Sequence, residues 1–171
     1  EFDYQIGSFH HAVEAYKISD KLAENKVCSA MWADWWGFKM EAYDGIRENI
    51  PMVHNAGACA IVHSDIDLGI QRLNQEAAKA WSDGVRAGID ISKEDAWTWL
   101  SANPAKSLGI FEHTGSIEKG KNADIVLWSA DPFSSYAQAE KVFIDGAMVF
   151  DRTNPESWPV SDFELGQIAQ G

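Results

Sequence analysis

The chain has 171 residues, of which 46% are hydrophobic and 23% charged, and a formal net charge of −12; that is enough apolar material for a sizeable core, and it excludes a chain disordered throughout. The acidic balance argues against nucleic acid or an anionic membrane as partner, because both call for clustered Lys and Arg. No apolar run approaches the roughly 20 residues that span a bilayer, and a small molecule or peptide is the expected partner.

The sequence starts with Glu1, and Phe2, Tyr4, Ile6 and Phe9 read as the opening of a buried strand over residues 4–10. A piece of a longer chain is therefore expected, with the compartment left open between cytoplasm and periplasm or secretion. Ala12, Ala15, Tyr16, Ser19, Leu22 and Ala23 then share one face of a helix whose other face carries Glu14, Lys17, Asp20 and Glu24. A second strand is predicted over 26–31, followed by an aromatic loop with Trp32, Trp35 and Trp36. A helix over 41–55, open to interruption at Pro51, ends at Gly57, and a third apolar strand covers 58–63. Three strands separated by helices point to a parallel β/α arrangement, since parallel neighbours require a crossover. Cys28 and Cys59 each sit inside an apolar strand-like run without metal-type spacing, and both read as buried free thiols.

The middle of the chain reads as helical. A long amphipathic helix is predicted over 68–87, with Leu73, Ala77, Ala80, Trp81 and Gly84 on its apolar side. Ser92 with Asp95 three residues on forms a variant capping box for a second helix. Asn103-Pro104 reads as cap and first position of a third, which Gly109 terminates. The run HTGSIEKGKNADIVLW from His113 to Trp128 then makes a polar, glycine-bearing turn and a short buried strand. KVFIDGAMVF contains two alternating apolar runs around Asp145-Gly146, a dipeptide suited to the positive φ angles of a type I′ hairpin turn. The tail is expected to be extended, with a short helix near 162–169.

Chemistry-bearing residues collect at the C-terminal ends of the predicted parallel strands, the edge where ligands bind in open α/β sheets and barrels. His10 and His11 close the first strand. Neighbours on a regular strand face opposite sides, so at most one would look into the mouth, and each reads either as a ligand or as a hydrogen-bonded strand-end imidazole. His63-Ser64-Asp65 closes the third. A carboxylate there is costly unless it binds metal, accepts hydrogen bonds or caps the next helix, and catalysis and capping both stand open for Asp65. The i,i+2 spacing places His63 on the same face, one layer deeper. Trp32, Trp35, Trp36 and Phe38 around Asp34 read as a packed surface or as a wall covering substrate.

In this order the motifs HAVEAYK from His11, DWW from Asp34, HSD from His63, LNQEAAKA from Leu73, NPAKSLGI from Asn103 and the run from His113 to Trp128 resemble the C-terminal half of metal-dependent amidohydrolases. The branch is the imidazolonepropionase-related one with its Xaa-Pro-dipeptidase-like members, and the likeness spans residues 9–152. It implies an α/β fold, the C-terminal part (strands six to eight) of a (β/α)8 TIM-type barrel over 1–112. A β-sandwich portion with a hairpin would cover 113–152 and a tail 153–171. It further implies hydrolysis of amide or cyclic amide C–N bonds with one or two divalent metals, zinc foremost. His11 and Asp65 would be metal ligands, with Asp65 also the catalytic proton shuttle, and His10, Trp35, Trp36 and His63 would line the substrate. The family's H-x-H pair, its strand-four Lys or Glu and its strand-five His have no counterpart in this sequence. One His and one Asp fall short of the three protein ligands of a catalytic zinc, so the chain alone is expected to be inactive and to bind zinc weakly. A non-catalytic scaffold of the same fold that has lost its metal is the competing expectation. Unpaired outer strands of a partial barrel would also favour homo-oligomers.

Overall fold

The computed structural model describes residues 4–159. Its first half is a three-stranded parallel sheet in the order β1 (Ser8–Phe9), β2 (Cys28–Met31), β3 (Cys59–Val62). Cys28 stands opposite Cys59 and Met31 opposite Val62, so β2 and β3 are in register along their length. The apolar alternation of these strands divides two faces. Val27, Met31, Ala60 and Val62 join Leu22 of α1 (Ser19–Glu24), Ile50 and Val53 of α2 (Asn49–Asn55) and Ala77 and Ala80 of α4 (Leu73–Arg86) in the main core. Cys28, Ala30, Cys59 and Ile61 form a smaller cluster on the opposite face.

Several elements depart from the sequence expectations for identifiable reasons. Only Ser8 and Phe9 of the first predicted strand pair with β2, while Tyr4 and Ile6 are exposed, so this stretch is not a buried strand. The helix predicted after it opens as a 3-10 turn over Ala15–Ile18, held by Asn49: the Tyr16 N–H donates to its Oδ1 and its Nδ2 donates to the Ala12 carbonyl, at 2.8 and 2.9 Å. Pro51 does not interrupt α2, because it lies in the first turn, where a backbone N–H has no intrahelical acceptor. The predicted 68–87 helix is two helices, α3 (Asp67–Ile70) and α4, separated at Gln71 and Arg72. Gly84 lets α4 approach α2 closely, since a Cβ there would lie 2.7 Å from Pro51 Cβ.

The capping box of Ser92 and Asp95 opens α5 (Lys93–Trp97) as expected. α6 (Ala102–Ser107) starts two residues earlier than the Asn-Pro pair suggested. Asn103 is not its cap: the buried side chain donates from Nδ2 to the Ala60 carbonyl at 2.8 Å. The Val62 N–H donates to the Trp99 carbonyl at 3.2 Å. These two bonds cover the outer edge of β3, which departs from the expectation that both outer strands are unpaired.

Cys28 and Cys59 are not free thiols but a disulfide, with Cα atoms 4.3 Å apart. Two apolar strands 31 residues apart in sequence give no sign of their pairing until the sheet sets them in register.

The second half is an antiparallel sheet of β4 (Ile125–Trp128), β5 (Ala139–Ile144) and β6 (Ala147–Asp151). Asp145 and Gly146 take φ values of 51° and 80°, as the hairpin turn requires. β4 is not buried as expected, with Val126 and Leu127 exposed. Gly115 has φ +93° and packs so closely that a Cβ would meet Ala105 Cβ at 2.6 Å. Asp124 ties the turn together, accepting from the Thr114 hydroxyl at 2.6 Å and from the Asp145 N–H at 3.0 Å. Lys121 lies 3.5 Å from the centroid of the Phe111 ring. The glycine-rich segment thus works as a structural joint. The helix expected near 162–169 lies outside the described residues.

Candidate metal centre

The three parallel strands end at one place. β1 gives way to a bend at His10 and His11, β2 runs into Trp32, and β3 runs into His63 and Asp65. One potential ligand atom each from His11, His63 and Asp65 lies within 4.8 Å of the others. His11 Nε2 is 3.1 Å from Asp65 Oδ1. Donors around one tetrahedral ion with bonds of about 2.1 Å stand about 3.4 Å apart, so small side-chain rotations would close the set.

His11 and Asp65 both adopt left-handed backbone conformations, with φ of 53° and 54°. His and Asp are among the few non-glycine residues enriched there, and such conformations concentrate at functional sites. This geometry also corrects the alternation argument for His10 and His11. Because both lie beyond the regular strand, both rings come near His63, with centroid separations of 6.1 Å for His10 and 5.3 Å for His11. Asp65 does not cap the next helix, as α3 takes Ile66 as its N-cap without a side-chain bond.

Burial lowers the pKa of His63 to about 4, assisted by the neighbouring His11 and His10 and opposed by Asp65. Its imidazole is therefore neutral near pH 7, the form that offers a lone pair to a cation. His63 Nε2 is buried without a hydrogen-bond partner among the described residues. An orphaned buried polar atom costs about 1–3 kcal/mol, which a cation ligated there would offset. The sequence counted only His11 and Asp65 as donors. The signal for His63 was its i,i+2 placement before Asp65.

Trp32 is 6% exposed and stacks on His11 and His63 at centroid distances of 4.9 and 5.2 Å. Trp35 stacks on Trp32 at 5.7 Å and Phe38 meets both edge-on, so these three make one packed cluster while Trp36 remains exposed. His113 belongs to the joint after α6, where its carbonyl accepts from the Asn122 N–H at 2.8 Å.

A parallel β/α sheet with a His/His/Asp cluster at its C-terminal edge defines a candidate metal centre. Residues 19–151 match the model of the Amidohydrolase family, and the chain belongs to that family. It is 33% identical over 156 residues to Amidohydrolase tasK of Hapsidospora irregularis, covering 88% of this chain and 15% of that protein. It is 41% identical over 106 residues to an imidazolonepropionase of Thermoplasma volcanium, covering 58% of this chain and 25% of the relative. A solved amidohydrolase of Thermotoga maritima superposes with a TM-score of 0.74 at 35% identity, over 85% of this chain and 37% of that one. The chain thus spans well under half the length of each of these relatives.

Proposed function

We propose that this chain supplies part of a metal-dependent centre that hydrolyses amide or cyclic amide C–N bonds in small or dipeptide-like substrates. In this reading β1, β2 and β3 are strands six to eight of a TIM-type barrel. The supporting observation is the convergence of His11, His63 and Asp65, with two of the three held in left-handed backbone and the third carrying an orphaned buried nitrogen.

His11, His63 and Asp65 would hold the ion, with zinc the first choice for two imidazoles and one carboxylate. A divalent ion supplies acidification of a water from 15.7 toward ~7 and polarisation of a carbonyl. The carboxylate of Asp65, 45% exposed, is open to take a proton from an attacking water and return it to the departing nitrogen. Exposed His10 stands at the rim, within reach of a substrate's polar groups. Trp35 and Trp36 form the side wall, where an apolar substrate group would exclude water.

Calorimetric titration of the metal-free chain with zinc chloride tests the centre. One ion per chain is expected, with His63→Ala and Asp65→Asn each weakening binding at least about tenfold. Unchanged isotherms in both variants would remove the proposed ligand set. For the reaction, the zinc-loaded full-length protein is assayed on dipeptides and N-acyl amino acids, and turnover that survives Asp65→Ala would rule out the proton shuttle.

A further inference from the structure

We propose that Trp32 is a positioning residue whose indole is a common plate holding the His11 and His63 imidazoles in one parallel, ligand-presenting arrangement. The inference deepens the metal reading above and rests on it for its consequence, but its geometric core stands on the rings alone. The Trp32 and His11 planes lie 21° apart, Trp32 and His63 18°, and His11 and His63 16°. All three centroid separations fall between 4.9 and 5.3 Å. Offset stacking of this kind is the favoured arrangement for ring faces.

The register explains how one residue reaches both histidines. Met31 pairs with Val62, so the next residues along β2 and β3, Trp32 and His63, come side by side on the face that also holds Ala30 and Ile61. His11 comes from the other flank, where the Ala12 N–H donates to the Ala30 carbonyl at 3.1 Å and ties that bend to the same strand. With φ of 53°, His11 lies outside the pleated geometry in which strand neighbours fix a side chain, so its orientation depends on what its ring packs against.

The plate is itself clamped. Trp35 stacks on Trp32 with planes 14° apart, and Phe38 meets Trp32 at 90°. Trp32 Nε1 is buried without a partner among the described residues, a penalty that an all-carbon ring would avoid. What the indole offers over such a ring is a longer flat face, wide enough for two imidazoles at once. Residues around a metal site that orient its ligands through hydrogen bonds typically govern metal affinity by about 10–100-fold, and an effect of that order is expected here.

The test uses the whole chain in two states. In the metal-free protein, the imidazole Hε1 and Hδ2 resonances of His11 and His63 are expected upfield of those of His113 through the indole ring current. That shift should be lost in Trp32→Leu and only partly kept in Trp32→Phe, whose shorter face cannot cover both imidazoles. Titration with cobalt(II), followed by its visible absorption, should show affinity about 10–100-fold weaker in Trp32→Leu and recovered to within about tenfold in Trp32→Phe. Thermal unfolding verifies that the variants fold. If Trp32→Leu does not fold, Trp35→Leu, which removes the backing of the plate, is read in the same two ways. Unchanged ring shifts in the variant would overturn the proposal, and so would lost shifts with unchanged cobalt affinity. A wild-type chain that takes up no cobalt while showing the ring shifts would sink the metal reading and leave the plate standing.

Discussion

Breaking the Cys28–Cys59 bond is expected to destabilise the chain by about 3.7 kcal/mol. The bond closes a loop of 31 residues between adjacent parallel strands. In the chain-entropy account, a loop of that size removes about 12 cal/mol/K from the unfolded ensemble, or about 3.7 kcal/mol at 25 °C. Typical domains hold only about 5–15 kcal/mol in total, so a quarter or more of the stability depends on one covalent link. Urea unfolding of the oxidised chain and of the chain reduced with a phosphine should differ in midpoint by roughly 1–4 M for m-values of about 1–3 kcal/mol/M. Intact mass after denaturing alkylation without reductant should show no adduct. Two adducts, or coincident unfolding curves for oxidised and reduced protein, would refute the reasoning. Reduction compares the same atoms in both states, so no cavity term enters.

Three further outcomes follow from the packing. Gly84→Ala should cost about 1–3 kcal/mol, because its Cβ would lie 2.8 Å from Cγ of Pro51, whose rigid ring has no rotamer to yield; a raised thermal midpoint would contradict this close approach. Asn103→Ala removes the donor to the Ala60 carbonyl and should cost about 1–3 kcal/mol, with Asn103→Asp no better, since it offers an acceptor to an acceptor. Burial holds the His54 pKa below the ordinary 6.5, with Asp95 opposing, and its Nδ1 accepts from Trp99 Nε1 at 3.2 Å. The folded state therefore favours neutral His54: its contribution is fully present above pH 6.5 and is lost as pH falls below that value toward the lowered folded pKa. His54→Gln should flatten the fall in urea midpoint as pH drops below 6.5, and an unaltered slope would refute the assignment.

The sequence made the parallel order legible because helices must intervene between parallel strands, and it marked the hairpin through Asp145-Gly146. It also singled out His11 and Asp65, which the structure brings to 3.1 Å. What it missed was decided between segments. The disulfide depends on register, and the break at Gln71 and Arg72 falls inside an otherwise continuous amphipathic pattern. Asn103 looked like a local cap and instead serves a distant strand. His63 was placed on the right face by its spacing. Its membership of the cluster emerged only when His11 left the regular strand and brought its ring to within 5.3 Å of the His63 ring.

The covered edge of β3 makes the two sides of the parallel sheet unequal. Trp99 and Asn103 occupy the hydrogen-bonding positions on that side, while β1 stands at the other end of the sheet. A sheet stoppered at one end cannot add copies head to tail, because every step of such a fibre consumes one edge of each kind. A copy approaching from the β3 side meets donor and acceptor positions that are already taken. A side-chain amide and a backbone carbonyl thereby do on this edge what the backbone of a neighbouring strand would do.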